Sequence, residues 1–75
     1  MNLSTFYGGE ADHLALEAAL EAYERAEGTD QDHAAWAALY ERSIPCGWSF
    51  ASPETLVDFS QRRARAFRKT FGVAA

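Results

Sequence analysis

Residues 11–27 read ADHLALEAALEAYERAE, and this stretch decides the fold class. Ala, Leu and Glu, among the strongest helix formers, make up most of it. At 100° per residue, Leu16, Leu20 and Tyr23 fall on one face, with His13 at its edge. Gly8-Gly9 stand before the run. Gly28 follows it, at the position where a left-handed residue ends a helix. The pattern predicts an amphipathic helix over about residues 10–27.

Further along the chain, the same reading predicts two more helices. The second, over about 30–43, starts at Thr29 or Asp30, where Thr29 and Asp32 have the spacing of a capping pair. Trp36, Leu39 and Tyr40 form its apolar face, and Ser43 extends that face. Pro45 biases Ile44 away from helical angles, which ends the helix near Arg42 or Ser43. The third, over about 53–71, has Ser52 as N-cap, Pro53 in the first position and Glu54 at the positive end of the dipole. Leu56, Val57, Ser60, Ala64, Phe67 and Phe71 then recur at helical spacing, and Gly72 is the stop.

Two short pieces alternate in polarity, LSTFY at 3–7 and WSF at 48–50. Either fits a brief strand, but the preferred role is packing, with Phe6, Tyr7, Trp48 and Phe50 covering the open ends of the bundle. The expected architecture is all-α. It is a small three-helix bundle forming one domain over residues 1–75, with an N-terminal extension (1–9) packed on it and a loop at 44–52.

Composition agrees with a single small domain. The chain has 75 residues, 48% hydrophobic and 24% charged, close to the averages for globular domains. A domain of this size buries only about 60% of its unfolded surface, so its ten aromatics must supply bulk. Self-association as a homodimer is one way to bury more. A single cysteine excludes a disulfide scaffold, and no spacing suggests zinc. No apolar run is long enough to cross a bilayer. The opening MNLSTFYGGE lacks a basic start and an apolar core, so a cytoplasmic protein is expected.

Charge is the most informative feature. The net charge is −4, but its distribution is lopsided. Residues 1–41 hold nine acids against Arg25 alone, whereas residues 42–75 hold two acids against six bases. On the first helix Glu10, Glu17, Glu21 and Glu24 fall within about 60° of one another, in a stripe about 21 Å long. Like charges at i,i+4 cost about 0.2–0.5 kcal/mol per pair. Acids are also disfavoured at a helix C-terminus, where Glu24 and Glu27 lie. On the third helix Arg62, Arg65, Arg68 and Lys69 gather on the side away from Phe67 and Phe71 and should be exposed. Arg63 lies nearer the apolar edge, as the candidate for an internal salt bridge.

Nothing in the sequence points to catalysis. His13, His33 and Cys46 lack the flanking signature of a nucleophile–base pair or a metal site. No isolated carboxylate pair or glycine-rich phosphate loop is present. No catalytic residue, metal or cofactor is therefore expected. Trp48 has two readings: the cap of the core, which is preferred, or an exposed aromatic anchor for a partner.

Two functional expectations follow. In the leading one, a non-catalytic acidic module uses Glu10, Glu17, Glu21 and Glu24 to occupy a basic surface that otherwise grips nucleic acid. Its concrete form is an inhibitor of the anti-CRISPR or anti-restriction kind, carried by a phage or mobile element. It would have a protein partner, with no direct nucleic acid contact and no membrane. The alternative is a dimeric regulatory or antitoxin-like protein that touches nucleic acid through Arg62, Arg65, Arg68 and Lys69. Against that alternative, the isoelectric point of about 4.9 is far from the basic balance of such modules.

Overall fold

A computed structural model of the chain describes residues 9–51 and 53–71, apart from the Phe71 side chain. Three helices, α1 (Glu10–Ala26), α2 (Asp32–Ser43) and α3 (Leu56–Phe71), form a compact all-α bundle, and no strand occurs among the described residues. The WSF stretch lies in the loop between α2 and α3. The segment 1–8, with Phe6 and Tyr7, lies outside the described residues, as do Ser52 and Gly72. Helix α1 packs along both α2 and α3, which touch each other less.

Each helix end has a local cause. Gly9 N–H donates to the Asp12 carboxylate at 3.1 Å, the half of a capping box in which the acid reaches back. His13 donates through both its backbone N–H and Nδ1 to the Gly9 carbonyl, at 3.1 and 2.9 Å. After α1, Gly28 takes φ +82°, as the sequence predicts. Thr29 then departs from its expected role. Its hydroxyl accepts from Gln31 N–H and its carbonyl from Asp32 N–H, both at 3.2 Å. Thr29 thus closes a turn, and α2 starts at Asp32.

The end of α2 also differs from the sequence reading. Ile44 keeps helical angles (φ −58°, ψ −50°) despite Pro45, and the chain tightens into a 3-10 turn over Ile44–Cys46. Gly47, at φ +103°, stops it. Its N–H bonds to the Ile44 carbonyl at 3.0 Å, and Trp48 N–H bonds to that of Ser43 at 3.2 Å. This pair of bonds is a Schellman closure. Burial holds it in place, because Cys46 is fully buried and Trp48 nearly so.

The start of α3 is corrected as well. Thr55 is the cap: its hydroxyl accepts from Asp58 N–H at 3.1 Å and its carbonyl from Phe59 N–H at 2.9 Å. Starting here puts Leu56 directly into the core. It also leaves Glu54 outside the helix, free to chelate Arg62.

The core contains Leu16, Leu20, Leu39, Cys46, Trp48, Leu56 and Phe59, with Tyr23, Trp36, Tyr40 and Val57 packed against it. Toward the N-terminal end of α1, His13 stacks on Phe67 with ring centroids 4.8 Å apart and planes 5° apart. Buried Ser60 and Ser43 return their hydroxyls to the Leu56 and Tyr40 carbonyls at 2.8 and 2.7 Å, as buried polar groups on helices must. Phe50 does not cover an end of the bundle; it is 74% exposed.

Candidate interaction surfaces

The four carboxylates of the acidic stripe divide into two sets. Glu10, Glu21 and Glu24 are exposed. Glu24 accepts a 3.3 Å hydrogen bond from Gln61 on α3. Glu17 points inward and forms an ion pair with Arg68, with side chains 15% and 36% exposed respectively. The stripe therefore flanks the α1–α3 seam, and its middle member belongs to the fold. The exposed acids concentrate at the far end of α1 and in the turn that follows. Glu21, Glu24, Glu27 and Asp30 lie there beside half-buried Asp32, with Arg25 as the one base.

The basic face is thinner than the sequence suggests. Arg68 turns toward α1 instead of solvent, because Glu17 draws it across the seam. Arg62 binds Glu54 through Nε and Nη2 at 2.7 and 2.8 Å. This holds the Glu54 carboxyl below the usual glutamate range, chiefly through the hydrogen bond, and raises Arg62. Arg65 and Lys69 are exposed, with acidic Asp58 also exposed on the same helix. Arg63 forks onto the Cys46 carbonyl, with Nε and Nη2 at 3.2 and 3.0 Å. That carbonyl sits at the end of the 3-10 turn, where a cation complements the local dipole.

The reactive side chains are dispersed. Cys46 is buried, and its thiol donates to the Asp12 carbonyl at 3.6 Å. Burial, reinforced by the Asp12 carboxylate and partly opposed by Arg63, pushes the thiol up to about 11, the reverse of an activated nucleophile. His13 is buried against Phe67, whereas His33 stands exposed in the first turn of α2. Among the described residues no group of three or more His, Cys, Asp or Glu converges on a metal position. No described helix is long and apolar enough to cross a membrane.

Trp48 takes the core-capping role and is not an exposed anchor. It is 6% exposed, and its Nε1–H has no hydrogen-bond partner among the described residues. Among the described residues the exposed aromatic is Phe50, whose ring lies 4.8 Å from Trp48 and 5.4 Å from Tyr40. Tyr40 in turn stacks on Trp36 at 5.8 Å, with planes 4° apart. This aromatic row leads to an open notch of about 210 Å³ lined by Tyr23, Asp32, His33 and Trp36. The sequence reading missed the notch. Its signal was the recurrence of Asp32, Trp36 and Tyr40 at every fourth residue, which sets them along one side of α2.

The chain matches no protein-family model, and neither a curated protein nor a solved structure matches it.

Proposed function

We propose that the protein is a non-catalytic interaction module whose acidic end occupies a basic surface of a protein partner, one built to handle nucleic acid. The observation that carries this reading is the concentration of Glu21, Glu24, Glu27 and Asp30, all exposed, around the end of α1. Glu24 and Glu27 lie where acids oppose the dipole of α1, so helix formation does not favour their charge. Exposed carboxylates spaced along a helix end present an array that Arg and Lys clusters grip as they grip phosphates. An inhibitor of the anti-CRISPR or anti-restriction kind, carried by a phage or mobile element, is the concrete form of this proposal. The leading residues shift from the full stripe to Glu21 and Glu24, joined by Glu27 and Asp30, because Glu17 is engaged by Arg68.

The test compares the wild-type protein with a Glu21→Lys, Glu24→Lys, Glu27→Lys variant as baits in nuclease-treated host lysate, eluted in a salt gradient. The expected result is a nucleic-acid-handling complex retained by the wild type alone, eluted by salt and displaced by added DNA or RNA. Equal capture by both baits overturns the proposal. So does capture that disappears with nuclease, which would move the activity to Arg65 and Lys69 on α3.

A further inference from the structure

The notch at the start of α2 combines three features that select for one kind of ligand. The first is an aromatic face. Tyr40 covers one side of the Trp36 indole in parallel stacking. Asp32 and His33 lie one turn back along the helix and line the notch with Trp36. The second is a carboxylate. Asp32 is half-buried, and among the described residues its side chain has no hydrogen-bond or ion-pair partner. The third is size. A volume of about 210 Å³ is below the roughly 300–1,000 Å³ of small-molecule sites, and suits a single inserted side chain.

The surrounding charge decides the sign of that side chain. Glu27 and Asp30 stand exposed in the adjoining turn. A helix N-terminus would ordinarily favour an anion, but here Thr29 already engages the N–H groups of Gln31 and Asp32. A planar guanidinium can stack on an indole while forking onto a carboxylate, which the compact ammonium of lysine cannot do.

We propose that the notch formed by Tyr23, Asp32, His33 and Trp36 receives an arginine side chain from a basic segment of a protein partner. Trp36 supplies the stacking face, and Asp32 accepts from the guanidinium. Tyr23 and His33 form the walls. The proposal deepens the reading of an acidic module with a basic partner and rests on it.

The probes are tetra-arginine, tetra-lysine and tetra-citrulline amides, titrated into the ¹⁵N-labelled protein, with the Trp36 and Trp48 indole N–H signals followed by NMR. Tetra-arginine is expected to move the Trp36 indole signal, with buried Trp48 little affected. Tetra-lysine is expected to bind at least threefold more weakly, and neutral tetra-citrulline to leave the spectrum unchanged. Asp32→Asn should weaken tetra-arginine at least fivefold. Glu41→Gln, which removes the same charge from an exposed site on α2, should weaken it less than twofold. Amide spectra of both variants confirm that they are folded. A stationary Trp36 signal at saturation, equal affinity for lysine, or equal losses in the two variants would overturn the arginine notch. If tetra-arginine binds Asp32→Asn normally but fails on the Glu21, Glu24, Glu27 reversal, the notch falls and the acidic end stands. If tetra-arginine does not bind the wild-type protein, both fall.

Discussion

Glu17→Gln removes one carboxylate charge from α1 while keeping the shape of the side chain, and Glu21→Gln does the same one turn further on. Glu17, 15% exposed, is paired with Arg68 across the α1–α3 seam, whereas Glu21 faces solvent. Two unit charges about 3 Å apart attract by roughly 5–6 kcal/mol at an effective dielectric of about 20. Desolvation and side-chain ordering offset most of that, leaving about 0.2–1 kcal/mol for exposed pairs. Glu17 is more buried than that class, but Arg68, 36% exposed, keeps much of its hydration. A coupling of about 1–1.5 kcal/mol is therefore expected between them. For a chain of this size, a loss of about 1 kcal/mol lowers Tm by roughly 4–8 °C. Glu21→Gln should stay within about 0.5 kcal/mol of wild type. The assay is urea unfolding, followed by far-UV circular dichroism, of wild type, Glu17→Gln, Arg68→Gln and the double variant. The cycle is needed because Arg68 makes further interactions, which the single variant also removes. A coupling below about 0.3 kcal/mol, or a Glu21→Gln loss as large as that of Glu17→Gln, would refute the division of the stripe into fold and surface.

Four further outcomes follow from the structure. Because the Cys46 thiol is raised from 9.0 to about 11 in the fold, the unfolded chain releases its proton first; stability should fall as pH rises from 9 through 11, by at most about 3 kcal/mol. Alkaline unfolding curves of wild type and Cys46→Ala should differ by that amount, and parallel curves would contradict the burial of the thiol. Thr55→Ala removes the cap of α3 and should cost about 1 kcal/mol, read by chemical denaturation; no loss would return the helix start to residue 53. Arg62→Gln should move the Glu54 carboxyl back up to the ordinary glutamate range, seen by carbon-detected NMR titration, because the hydrogen bond from Arg62 is the main cause of its depression. Glu27→Lys should raise Tm, by about 0.3–1 kcal/mol of stabilisation; a lower Tm would show that Glu27 has a partner in the fold.

The helices were legible because their apolar spacing and stops lie within the helices or next to them. Leu16, Leu20, Leu39, Leu56 and Phe67 are all inside, where periodicity places them. Their starts were less legible, because a capping residue is chosen by competition. Both Ser52 and Thr55 can cap α3, and placing Leu56 in the core favours the later one. Likewise Pro45 discourages helical angles at Ile44 by local sterics, but burial of Cys46 and Trp48 and the Arg63 fork onto the Cys46 carbonyl outweigh that bias. Charges were the least legible. A helical wheel gives the direction of Arg68 to within tens of degrees, and a long side chain covers that margin to reach Glu17. The notch was beyond a one-helix reading, since Tyr23 comes from α1 and the other three residues from α2.

Stability and surface chemistry pull in opposite directions at the end of α1, and that conflict bears on function. Arg25 satisfies the preference for a cation in the last turn, and Gly28 makes the stop. Glu24 and Glu27 add negative charge at the negative end of the α1 dipole. Either costs only tenths of a kcal/mol, within what a small domain tolerates. Together they build a field that repels polyanions and attracts cations over a Debye length of about 8–10 Å. The Trp36 notch lies beside this field, and the indole and half-buried Asp32 that line it are short-range features that charge alone does not require. An acidic end that served only to keep the chain in solution would work equally well with the notch filled. Filling it with Asp32→Leu should then leave solubility and fold intact, and should abolish arginine-peptide binding if the end of α1 and the start of α2 act as one recognition surface.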